Sequence, residues 1–227
     1  MLPEVRHAWR TTLNMLAASI KLVLIGVMVW GIFNGHVYET RLPLLPGLDL
    51  VLNADKMSVL IAALSGLLWF VTTIYAIGYL EDSPQPRSRF FGFFGLCVSS
   101  TMGIALAGNL MTFLMFYEML TISTYPLVVH RGTNNSMRAG KIYIAYTLSG
   151  GTVLLFAIAW LKSLVGPLDF TEGGMLAGFA QQYHREFKII FFLLITGLGV
   201  KAALVPLHGW LPMAMIAPAP VSALLHA

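Results

Sequence analysis

Along the 227-residue chain, runs of about twenty apolar residues alternate with short segments that hold most of the charge. A hydrocarbon core of about 30 Å is crossed by roughly twenty helical residues. The pattern predicts spans at about 13–33, 56–80, 89–109, 110–130, 140–162 and 188–211. A seventh begins near Pro218 and stops at Ala227. The fold class predicted is an all-α polytopic membrane protein with about six spanning helices plus the start of another. Only Gly108 and Asn109 separate the two central spans, so their connection must be very short. Longer segments at about 34–55 and 163–187 join other spans. The first contains Leu42-Pro43-Leu44-Leu45-Pro46-Gly47, which suits a turn or small hairpin.

Composition narrows the class further. Hydrophobic residues make up 57% of the chain and charged residues 11%, with a mean hydropathy of +0.77. Soluble domains hold about 25% charged residues, so a soluble globular domain is excluded. The net charge of +4 does not point to nucleic acid, because the basic residues sit at the ends of apolar runs and form no stripe. They read as topological signals. Arg6, Arg10, Arg87, Arg89, Arg131, Arg138 and Lys141 lie on one side, against Arg41, Lys56, Lys162, Arg185 and Lys188 on the other. The positive-inside rule then sets the N-terminus in the cytoplasm of a multi-pass protein of the inner (plasma) membrane, with both long segments outside. The run after Arg10 is of spanning length and lacks a small-residue cleavage site, so it reads as a helix and not as a removable signal. One cysteine, Cys97, offers neither a disulfide framework nor a metal site and reads as packing.

Three predicted spans hold ionisable residues away from their ends. Lys21, about nine residues into the first, reads as a lysine snorkelling to the cytoplasmic surface. Glu118 lies in Phe116-Tyr117-Glu118-Met119-Leu120, near the middle of the fourth. Lys201 lies in an apolar helix that Pro206 interrupts one turn later. Glu118 and Lys201 have opposite charge and comparable depth, which makes them natural partners. Such a pair can pass between neutral and ionic arrangements when a proton arrives; the plainer reading is a static salt bridge. Broken backbone at membrane depth is tolerated where it lines a cavity, although an ordinary proline kink reads the same way. His208, just past the break, and His226 are candidates to extend a proton path. Lys141 reads equally as a snorkelling lysine or as a bridge between Glu118 and Lys201. His130 reads as an interfacial residue. Gly150-Gly151 read as packing glycines. No phosphate-binding loop, metal-ligand spacing or nucleophile beside a base is present, so no cofactor and no catalytic chemistry are expected.

The stretch Lys201-Ala-Ala-Leu-Val-Pro206-Leu-His208-Gly-Trp210-Leu-Pro212, followed by Ala217-Pro218-Ala219-Pro220-Val221-Ser222-Ala223-Leu224-Leu225-His226-Ala227, resembles the antiporter-like subunits shared by respiratory complex I, membrane-bound hydrogenases and Mrp-type cation/proton antiporters. Phe116-Tyr117-Glu118-Met119-Leu120 resembles the glutamate helix of the same family, and Leu-His-Gly-Trp-Leu-Pro is most similar to the Mrp D type. The resemblance implies inverted repeats, each with a broken helix, that form proton half-channels. Residues 1–88 would supply about two N-terminal spans with an external loop. Residues 89–227 would supply most of the first repeat, truncated in its last helix. Glu118 and Lys201 would be the charge pair of that half-channel, Lys141 a bridging lysine, and His226 a residue of the helix after the break. Met213 stands where the family often has aspartate or asparagine, and Ala219 where it often has threonine or serine. The second repeat has no counterpart in this chain, which would then be a fragment, a degenerate subunit, or a split subunit whose second half-channel a separate polypeptide supplies, among other membrane subunits. The function implied is proton conduction through a Glu-Lys relay in a multisubunit cation/proton antiporter, with protons and Na+ as candidate ions. The alternatives are a proton-pumping subunit of a redox-driven or inorganic-carbon-uptake complex, and a non-conducting structural subunit or fragment.

Overall fold

The computed structural model describes residues 7–45, 47–81 and 85–226. Arg6 and Pro46, with the side chains of Arg10 and His226, lie outside the described residues. The helices are α1 (His7–Phe33), α2 (Lys56–Tyr79), α3 (Arg87–Ala105), α4 (Leu110–Val128), α5 (Asn134–Val165), α6 (His184–Lys201), α7 (Trp210–Ala214) and α8 (Ala219–His226). Three of them, over Thr11–Phe33, Lys56–Tyr79 and Asn134–Val165, are long and apolar enough to cross a bilayer. The helices α3, α4 and α6 have 19, 19 and 18 residues. In α4 the polar positions are absorbed by the helix itself: Thr121, Ser123 and Thr124 donate their hydroxyls to the carbonyls of Tyr117, Met119 and Leu120.

The chain between α1 and α2 amends the all-helical expectation. Strands β1 (Tyr38–Leu45) and β2 (Leu48–Ala54) pair antiparallel. Gly47 takes the left-handed conformation at the turn, with φ +75°. The hairpin anchors the short connection expected between α3 and α4. The amide of Gly108 donates to the Val51 carbonyl and that of Asn53 to the Leu106 carbonyl, each at 2.8 Å. On its other side the connection meets the segment before α6, where Phe170 donates to the Gly108 carbonyl at 2.9 Å. Arg41 bonds Asp169 at 2.9 Å, and Lys162 bonds the Gly47 carbonyl. The two long segments therefore share one end of the bundle with the α3–α4 connection.

Side-chain caps explain where helices begin. Asp55 accepts from the Ser58 amide at 2.6 Å, Asn109 from Thr112 at 2.7 Å and Thr133 from Ser136 at 3.2 Å. At the opposite end Arg89 donates to the carbonyl of His130, in the turn after α4, at 2.9 Å. His130 is not the interfacial side chain expected. It is buried, with its ring edge-on to Phe90 at 5.4 Å and both ring nitrogens unpartnered among the described residues. Burial, with the Arg89 guanidinium close by, pushes its pKa down to about 4 and keeps the ring neutral.

Candidate functional site

Close backbone contact builds the site. Gly150 of α5 and Gly197 of α6 face each other so closely that a Cβ on Gly197 would lie 2.9 Å from the Gly150 carbonyl oxygen. Against this seam packs α4, whose Tyr117 donates its hydroxyl to the Gly197 carbonyl at 3.1 Å. The ammonium of Lys201 donates to the Tyr117 carbonyl at 2.5 Å and lies 3.6 Å from the centre of the Tyr117 ring. Glu118, the next residue, lays its carboxylate on Gly151 of α5, where a Cβ would overlap it. Glu118 and Lys201 thus reach the same turn of α4, close enough to attract. Among the described residues no ion pair joins them. Glu118 Oε1 is buried and has no hydrogen-bond partner there. The static salt bridge considered from sequence is therefore not the observed arrangement. The ammonium is thus held by a carbonyl beside a carboxylate with one oxygen unclaimed.

The break in α6 comes earlier than Pro206 predicts. The helix ends at Lys201 itself, Ala203 turns left-handed at φ 52°, and Leu204 donates to the Gly199 carbonyl at 2.9 Å while Ala203 donates to Val200 at 3.1 Å. This is a Schellman closure with alanine where glycine is usual. Proline sets the stop, since it cannot donate to the Ala202 carbonyl, and the chain leaves the helix one turn ahead of it. Lys201 consequently occupies the last helical position, where the carbonyl ends attract a cation. Trp210 Nε1 donates to the Val200 carbonyl at 2.6 Å, giving the acceptor that Ala203 already bonds a second donor. The Trp210 ring meets Tyr143 edge-on at 5.4 Å.

Polar groups continue behind the lysine. Cys97 of α3 is buried, with its sulfur 3.4 Å from both Ser123 Oγ and Thr124 Oγ1, and it lies within electrostatic reach of Lys201. Tyr143 directs its hydroxyl to the Thr121 carbonyl at 3.5 Å. Of these, the sequence singled out Cys97 as packing and passed over Tyr117, Tyr143 and Thr124. The position of Tyr117 beside Glu118 was the available signal. Gly151, read as a packing glycine, makes room for the carboxylate.

The other predicted residues are not gathered here. Lys141 is exposed and lies ten residues from Gly151, about 15 Å along α5. His208 and Pro206 are exposed, in the short helical turn after the break. His226 is placed at the end of α8 by its backbone alone.

The family described as NADH:quinone oxidoreductase/Mrp antiporter, TM, matches residues 107–227, from the α3–α4 connection to the last residue, and takes in both Glu118 and Lys201. The chain belongs to this family. It is therefore a membrane protein of the antiporter-like group. It is 31% identical over 197 residues to a probable K(+)/H(+) antiporter subunit of Rhizobium meliloti (strain 1021), and the alignment covers 85% of this chain and 19% of the relative. That relative is named for the A/B type, where the closing motif pointed to the D type; the two agree at the level of the family. The archaeal membrane-bound sulfane sulfur reductase shares the fold with a TM-score of 0.84 at 20% identity, over 96% of this chain and 44% of that one. A chain of the Mrp complex from Dietzia sp. DQ12-45-1b does so with a TM-score of 0.80 at 22% identity, over 97% of this chain and 41% of that one. The chain spans about a fifth to a quarter of the length of the curated relatives it matches.

Proposed function

We propose that this chain is a proton-conducting part of a multisubunit cation/proton antiporter, and that Glu118 and Lys201 hand a proton between α4 and α6. The observation that carries this reading is the Lys201 ammonium held at the Tyr117 carbonyl beside the unclaimed Glu118 oxygen. Ionisable groups at membrane depth are costly, about 3 kcal/mol or more each, and are characteristic of ion and proton paths. The ammonium at the end of a helix that closes on Ala203, and not in mid-helix, has backbone beside it that can rearrange without breaking a continuous ladder.

In this reading the protein has six spans with its N-terminus in the cytoplasm. Residues 1–88 flank a first inverted repeat formed by 89–227. Lys141, His208 and His226 extend the path toward its ends, with water linking groups that do not touch. Protons are the transported ion and Na+ the candidate counter-ion.

Proton flux, measured per assembled complex in native membrane vesicles, tests the relay. Glu118→Gln and Lys201→Ala should each abolish most of it while the amount of assembled complex stays unchanged; normal flux in both variants would refute the proposal. A second reading, a proton pump driven by electron transfer, draws on the breadth of the family and on the likeness to a respiratory membrane complex. Flux that follows an added electron donor and ignores an imposed cation gradient would favour it.

A further inference from the structure

We propose that α1 docks, through Lys21, against a membrane-spanning helix of another subunit that carries an aspartate or glutamate at mid-depth. The snorkelling expected of Lys21 is ruled out by its place in the helix. It lies ten residues after Thr11 and twelve before Phe33 in the apolar span, about 15 and 18 Å from either end and beyond the reach of a lysine stem. The side chain is half-buried, with Nζ 4.6 Å from the centre of the Trp69 ring of α2. That is its one polar or ring contact among the described residues, and a single cation–π contact does not offset desolvation of an ammonium.

Among the described residues no carboxylate reaches it. The described acidic residues other than Glu118 lie at helix ends or in the segments between helices. Trp69 is mid-way along α2, so Asp55 and Glu81 are each about 18 Å or more away along that helix. The Glu118 carboxylate lies against Gly151 of α5, away from the α1–α2 contact that holds Lys21. Asn14, two turns before Lys21 on the same face of α1, adds a second donor, because its Nδ2 is buried without a partner among the described residues. Asn14 lines a crevice of about 320 Å³ between α1 and α3, floored by Trp69 and Thr73 and edged by Gly92, Gly95 and Ser99; Lys21 adjoins it through its contact with the Trp69 ring. Two donors with no acceptor call for oxygen ligands, and small residues on α3 let another backbone approach. A helix bearing one carboxylate meets both requirements; an apolar helix or a lipid chain does not.

The inference rests on the proposed multisubunit assembly but not on the relay, since its readout contains no flux. A membrane-soluble carbodiimide, added to native membranes, couples an amine to a touching carboxylate. Mass spectrometry is expected to find an amide between Lys21 and an aspartate or glutamate of another membrane subunit. Lys21→Arg should assemble normally and lose the amide. Lys21→Leu, which inserts at least as readily as lysine, should reach the membrane but enter the complex at about one third of the wild-type level or less. The proposal is overturned by wild-type incorporation of Lys21→Leu, by an amide within this chain, or by no amide from the wild-type protein.

Discussion

Two lysines belong to apolar helices of this chain, one at a helix end and one in mid-helix, and their surroundings could hardly differ more. Lys201 closes α6, where the free carbonyls favour a cation, and its ammonium finds the Tyr117 carbonyl, the Tyr117 ring and a nearby carboxylate. Lys21 lies in the middle of α1, where every backbone carbonyl is engaged, and meets one indole ring. A charge in an apolar helix is thus defined by what lies around it. What the neighbours supply separates a lysine served within its own chain from one that needs another chain.

The strongest way to break this contrast is to remove the groups around Lys201. Glu118→Gln and Lys201→Ala should each lower proton flux per assembled complex at least about tenfold, or roughly 1.4 kcal/mol in the barrier. Lys21→Leu should change assembly and leave flux per assembled complex intact. Next comes Gly151→Ala, whose methyl group would displace the Glu118 carboxylate; overpacking of this kind costs about 1–3 kcal/mol. Flux should fall several-fold with the chain still folded, whereas Gly26→Ala, where no atom lies near the new Cβ, should leave it unchanged. A smaller effect tests the helix end that holds Lys201. Trp210→Phe keeps the ring and deletes the donor to Val200, and should lower stability by about 1 kcal/mol, seen as a reduced Tm in detergent.

His130 supplies the smallest and most local comparison, as a buried titratable group that has no partner among the described residues and simply stays neutral. Its folded-state pKa of about 4 lies below the free value of about 6.5. The stability that depends on a neutral ring is therefore present above pH ~6.5 and is lost as pH falls from there toward 4. His130→Phe should flatten the fall in Tm between pH 7.5 and pH 5, and an unchanged slope would assign the acid sensitivity elsewhere.

Much of the architecture was legible because the bilayer leaves a chain few options. A twenty-residue apolar run has to satisfy its own backbone, so the long helices, the short connection at Gly108 and Asn109 and the turn near Gly47 could all be read from pattern. The hairpin was only half legible. Its turn residues are local, but its pairing with the α3–α4 connection joins segments more than fifty residues apart. At the site, Glu118 and Lys201 stood out because charge in an apolar run is conspicuous. Tyr117, Gly151 and Cys97 did not, because a tyrosine, a glycine and a cysteine are ordinary residues of membrane helices. Pro206 gave the existence of the break but misplaced it by a turn, since the Schellman closure at Ala203 depends on contacts from Leu204 and Trp210.

By itself, then, the sequence determined which segments are helical, where the expensive charges lie and which family the closing motif resembles. All of these follow from local composition and from the free energy of moving single residues out of water. Only the tertiary structure decided what each charge touches. The distance between the Lys201 ammonium and the Tyr117 carbonyl, the fit of Glu118 against Gly151 and the lack of an acceptor for Lys21 among the described residues depend on how α1 to α6 are packed. Packing is a property of pairs of helices distant in sequence, which no single stretch encodes.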